Sequence, residues 1–186
     1  MRSSSIVPLF AGLILLSPNS FAQSGPGCGP ANLKFDVKTT NAEQPAPTPQ
    51  AGKALVYFLQ DDLKYDSSPR PTTRFAIDGL WLGATHANSY FYVFVDPGEH
   101  HLCANWQSDV ILMNFGVPKR STSAASFTAE SGKTYYFRAQ DIAKSHSGEN
   151  NSSYVSEAEV LLAPLDGDEA QVLMNTFSFS SSHPKK

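Results

Sequence analysis

The chain has 186 residues, 41% hydrophobic and 17% charged, with 14 Lys+Arg against 17 Asp+Glu and a formal net charge of -3. A protein that binds nucleic acid by neutralising phosphates needs a basic surface, and a pI near 5.9 with no block of Lys and Arg excludes that class. Disorder throughout is excluded by the 12 Phe and 7 Tyr, and the length suits one domain.

In chain order, residues 1–22 read as a secretory signal peptide. Arg2 supplies a positive start, Ile6 to Leu16 is an apolar run, and Ser20-Phe21-Ala22 offers small residues for cleavage. The run is far short of the roughly 20 residues that span a bilayer, and an N-terminal anchor or buried helix is the alternative. No later segment is long and apolar enough to span a membrane, so the expected location is extracytoplasmic, either periplasmic or secreted. Cys28 stands beyond the apolar run without a Leu three residues before it, which excludes a lipobox. In an exported chain an even cysteine count favours a disulfide between Cys28 and Cys103, with two free thiols as the alternative. That bridge would close a long loop, worth about 4 kcal/mol by chain entropy.

Residues 23–52 form a leader rich in Pro and Gly, interrupted at 32–38 by the alternation of Leu33, Phe35 and Val37, a possible edge strand. The domain is expected over 53–177. Ala54 to Gln60 reads as a strand, followed by a polar loop containing Pro69 and Pro71. Arg74 to Ile77 and Leu80 to Gly83 flank Asp78-Gly79, the signal for a type I′ hairpin. Ser89 to Asp96 ends at Pro97-Gly98, which turns the chain into Glu99 to Trp106. A second hairpin joins Ala124 to Glu130 with Lys133 to Ala139, then a loop from Gln140 to Ser153 leads to a strand over Val155 to Leu162. Asp166 or Asp168 caps a helix over Glu169 to Asn175 with Val172 and Leu173 facing the sheet, and 178–186 is expected to be a flexible tail. Short strands with closely spaced turn signals predict an all-β fold: an antiparallel β-sandwich of about seven or eight strands with one short C-terminal helix.

Five stretches then carry a resemblance: Gly52 to Phe58, Asp78 to Gly83, Ser89-Tyr90-Phe91, Pro97 to Leu102 and Gly132 to Arg138. In order and spacing, over roughly Lys53 to Leu162, the chain resembles the bacterial family called domain of unknown function 2846. The resemblance implies a secreted or envelope β-sandwich of PEGA-like or transthyretin-like type, and it carries over no catalytic residues. Cys28-Gly29-Pro30 and Leu102 to Trp106 look like a secreted subgroup of such proteins, which supports pairing of Cys28 with Cys103.

The residues themselves offer two candidate sites. On Ser89 to Asp96, Tyr90, Tyr92 and Phe94 share one face while Phe91, Val93 and Val95 share the other. One set lines the core; the other forms an aromatic platform that Trp81 and Trp106 extend, giving a binding patch of Trp81, Tyr90, Tyr92 and Trp106. The alternative is that this face is covered by the Leu33 to Val37 arm or by the helix. The second candidate is Glu99 with His101 and His86, a set suited to metal binding or hydrolysis. Neighbouring strand residues point to opposite faces, so His100 and His101 cannot share an ion, and His100 is expected to hydrogen-bond loop backbone near the Pro97-Gly98 turn. No nucleophile elbow, phosphate loop or dinucleotide fingerprint occurs, and no cofactor is expected. Two functions stand: a non-enzymatic module that binds a protein or glycan of the cell envelope, and a small extracytoplasmic metal protein or hydrolase.

Overall fold

The computed structural model describes residues 28–41, 47–65, 70–107, 119–147 and 153–186, so the expected signal peptide lies outside the described residues. The strands are β1 (Phe35–Thr40), β2 (Ala54–Tyr65), β3 (Thr73–Ile77), β4 (Leu80–Thr85), β5 (Ser89–Val95), β6 (Gly98–Trp106), β7 (Lys119–Arg120), β8 (Thr122–Ala129), β9 (Thr134–Ser147), β10 (Ser153–Pro164) and β11 (Ser178–Pro184), with one helix, α1 (Gly167–Met174). They form two sheets: a large one in the order β1-β11-β5-β2-β9-β10-β7 and a small one in the order β4-β3-β6-β8. The described residues thus form an all-β sandwich with one short helix.

Period-two patterning sets the core. Along β2, Ala54, Val56 and Phe58 are fully buried while Leu55 and Tyr57 on the alternate face are half-buried. Phe58 of the large sheet meets Phe75 of the small sheet at 4.9 Å between ring centroids, and Phe91 lies 5.5 Å from Phe58. The β3–β4 hairpin has the expected turn, with φ of 51° at Asp78 and 79° at Gly79. Both values lie in the left-handed region that Gly, and Asp with a local hydrogen bond, tolerate best.

Five expectations need correction. The large sheet is mixed: β2 runs parallel to β9, β11 parallel to β5, and β7 parallel to β10. The residues read as a loop from Gln140 instead continue β9, which pairs with β10 as far as Ser147 opposite Ser153. The reason lies in Asp141, an inward residue that is polar yet fully buried, so apolar alternation stops before the strand does. The tail does not fray, because 178–184 forms β11 between β1 and β5. Its serines fit a narrow seam: Ser180 Oγ lies 2.8 Å from Ser89 Oγ, and Ser182 Oγ accepts from Ala84 N at 3.0 Å. The edge strand expected at 32–38 is β1, three residues later, with β11 as its partner. Finally, α1 is capped by Asp166, whose Oδ1 accepts from Asp168 N at 2.8 Å. Its buried residue is Ala170, while Val172 is 66% exposed and faces away from the sheet.

Candidate functional site

Cys28 and Cys103 form a disulfide with 5.3 Å between Cα atoms, tying the leader to the outer face of the small sheet. Arg74 completes the attachment. Its Nη1 donates to Ala31 O at 3.1 Å and to Leu33 O, and its Nε donates to Asn105 Oδ1 at 2.9 Å. The guanidinium lies 4.2 Å from the centre of the Trp81 ring, and Trp81 Nε1 donates to Pro30 O at 2.9 Å. Gly29 has φ of 108°, and a Cβ there would come within 2.7 Å of Gly79 O, so the leader approaches the β3–β4 turn as only glycine can. Burial lowers the Arg74 pKa from its usual value. Trp81 is therefore part of the leader attachment and lies across the molecule from Tyr90 and Tyr92.

Those two tyrosines belong to a belt of rings on the outer face of the large sheet. Register brings Tyr57 of β2 opposite Tyr92 of β5 and Tyr136 of β9, and Phe179 of β11 opposite Tyr90. Tyr57 stacks on Tyr136 at 5.1 Å and 18°, and sits 5.6 Å from Tyr92; Phe179 lies 5.6 Å from Tyr90 and 5.8 Å from Tyr92. Phe94 closes the row 6.3 Å from Tyr92. All six are half-buried. The helix covers the β9 side only, where Arg138 Nη1 donates to Glu169 Oε1 at 2.7 Å and Gln171 Nε2 to the Tyr136 hydroxyl at 3.3 Å. Burial, then the neighbouring phenols, raise the Tyr57 pKa to about 12.

Trp106 belongs to neither face. It shares parity with Leu102 and Ala104, is 5% exposed, and its Nε1 donates to Asp141 Oδ1 at 2.9 Å inside the sandwich. There it meets a polar cluster that the sequence reading missed. Asp141 Oδ2 accepts from Gln60 Nε2 at 2.9 Å and from Thr73 Oγ1 at 3.1 Å. Gln60 Oε1 accepts from Thr73 N at 3.2 Å and Thr85 Oγ1 at 2.8 Å. Gln60, Asp62 and Asp141 are all fully buried, and Asp62 Oδ2 and the Tyr65 hydroxyl have no hydrogen-bond partner among the described residues. Desolvation raises both carboxyl pKa values, Asp62 to about 6 and Asp141 well above its usual range. One signal was legible: Gln60 and Asp62 continue the inward parity of Val56 and Phe58.

The histidines separate. His100 is anchored from both nitrogens, Nδ1 to Asp78 Oδ2 at 2.7 Å and Nε2 to Asp96 O at 2.8 Å, matching the expected contact with turn backbone. Glu99 and His101 project outward at one end of β3, where Asp78 N donates to His101 O. His86 lies past the other end, its Nδ1 3.1 Å from Thr72 Oγ1. With 5 residues in β3, about 16 Å of strand separates them, so Glu99, His101 and His86 do not converge. Among the described residues no group of three or more His, Cys, Asp and Glu is arranged to hold a metal ion.

A family model, described as Protein of unknown function (DUF2846), matches residues 50–153. No curated protein and no solved structure matches the chain.

Proposed function

The chain belongs to the DUF2846 family, and on that premise we propose that it is an extracytoplasmic, non-enzymatic binding module whose ligand is an envelope glycan. The observation that carries this reading is the belt of Tyr57, Tyr90, Tyr92, Phe94, Tyr136 and Phe179, half-buried rings spanning four neighbouring strands. A pyranose ring has a C–H face bordered by hydroxyls, and a row of phenols offers the matching surface of apolar rings with polar rims. The Cys28–Cys103 disulfide is compatible with an oxidising compartment, as is the signal-like stretch at 1–22. No helix among the described residues is long and apolar enough to cross a membrane. The separation of Glu99 and His101 from His86 counts against the metal or hydrolase alternative.

The test is calorimetric titration of the purified protein with chitohexaose, alongside cosedimentation with intact peptidoglycan sacculi. An aromatic contact contributes about 0.5–1.5 kcal/mol, so the double variant Tyr57→Ala/Tyr92→Ala is expected to weaken binding about tenfold or more. Leu80→Ser, on the other sheet and 69% exposed in the parent, is expected to leave it unchanged. Binding to neither probe, or binding indifferent to the tyrosines, would remove the glycan reading.

A further inference from the structure

The polar cluster between the sheets holds more acceptors than its donors can serve. Gln60 Nε2 has two hydrogens but faces three oxygens: Asp62 Oδ1 at 2.9 Å, Asp141 Oδ2 at 2.9 Å and Pro71 O at 3.0 Å. The amide cannot be turned over, because its Oε1 already accepts from Thr73 N and Thr85 Oγ1. The Asp62 and Asp141 carboxyls, acceptors only when ionised, thus stand side by side around a single amide nitrogen. A proton on the pair would supply the missing donor.

No cation among the described residues is buried with the pair. On β2, Asp61 is on the opposite parity and faces Arg138 at 3.8 Å, and Tyr65 adds only a neutral phenol. From β3 comes Thr73, while Arg74 points to the outer face and the leader. β4 contributes Thr85 and β6 contributes Trp106. Before β3, Arg70 is exposed and acts on Asp62 only at a distance; after β4, His86 is exposed and turned to Thr72, and Asn88 accepts from Asp62 N. Two full negative charges in such a place are not compensated.

We infer that Asp62 and Asp141, neighbours on the large sheet, hold one proton between them beneath the small sheet, so that the fold is most stable in mildly acidic solution and loses stability as pH rises. The pair is buried where the two sheets meet. Asp141 and Gln60 belong to the large sheet, and their partners Thr73, Thr85 and Trp106 to the small one. The sign follows from proton linkage. Where the folded protein keeps a proton that the unfolded chain has released, stability falls with pH, beginning near the ordinary carboxylate value of about 4.

The test is urea unfolding of the full chain from pH 4 to pH 8. His100 acts in the same direction at the upper end, so the series is run in a His100→Asn background. The folding equilibrium constant is expected to fall up to about tenfold per pH unit over part of this range, the slope for one proton. Asp62→Asn, which supplies the missing donor without a charge, is expected to flatten that slope. Should that variant not fold, carboxyl 13C shifts of the parent at pH 7 give the same answer, since a shared proton leaves a protonated aspartate signal. A flat or rising stability profile, an unchanged slope in Asp62→Asn, or only ionised aspartates at pH 7 would overturn the inference.

Discussion

Asp78 shows how one residue can serve backbone and charge together. It takes the left-handed φ of 51° that its turn requires, accepts from His101 N at 2.9 Å, and meets His100 Nδ1 at 2.7 Å. Desolvation alone would lower the His100 pKa, but bonds to Asp96 O and the Asp78 carboxylate outweigh it and raise it above the usual value. A raised histidine stabilises the fold below its ordinary pKa of about 6.5, and that stability is lost as pH rises through the folded value. Asp78→Asn keeps the turn and the acceptor for His101 N but removes the charge. An NMR titration is expected to show the His100 midpoint moving down toward the ordinary value. The turn role of Asp78 was legible, since Asp-Gly between alternating segments is a local signal. The carboxylate's partner was not, because it depends on β6 lying beside β3.

At the scale of elements, what was legible follows the same division. The β3–β4 hairpin, the Pro97-Gly98 turn and the cap of α1 are written in neighbouring residues and were found within a few positions. β11 was not, because Ser178 to Pro184 has one large apolar residue, Phe179, and serines where a strand signal would need branched or aromatic side chains. Its stability comes from two neighbours instead: β1 pairs along its length from Phe35 opposite Pro184 to Thr40 opposite Phe179, and β5 pairs through Ser89 and Tyr90. Removing residues 178–186 would strip β1 of its partner and expose the edge of β5. The expected outcome is a lower melting temperature and concentration-dependent association, read by thermal unfolding and light scattering, since unpaired edges invite strand addition. An unchanged, monomeric truncation would mean that β11 is a passenger on the sheet.

For the whole molecule, the leader's attachment around Cys28 is on the small sheet and the aromatic belt on the large one, which makes their contributions separable. The disulfide spans 75 positions, a loop whose closure is worth about 4 kcal/mol in the chain-entropy account. Cys28→Ser/Cys103→Ser is therefore expected to lose roughly that much stability in urea. It should also loosen the leader, because Arg74 and Trp81 would then hold Ala31, Leu33 and Pro30 by hydrogen bonds alone. Trp81 fluorescence reports that release, and Trp106, enclosed by Asp141 and Tyr65, serves as the internal reference. Glycan binding at Tyr57 and Tyr92 is expected to survive, provided the measurement is made well below the lowered unfolding midpoint, because the disulfide ties the leader to the small sheet while both tyrosines stand on the large one. If reduction or the double variant abolished binding while the fold persisted, the leader itself would belong to the binding surface and the two faces would be one device.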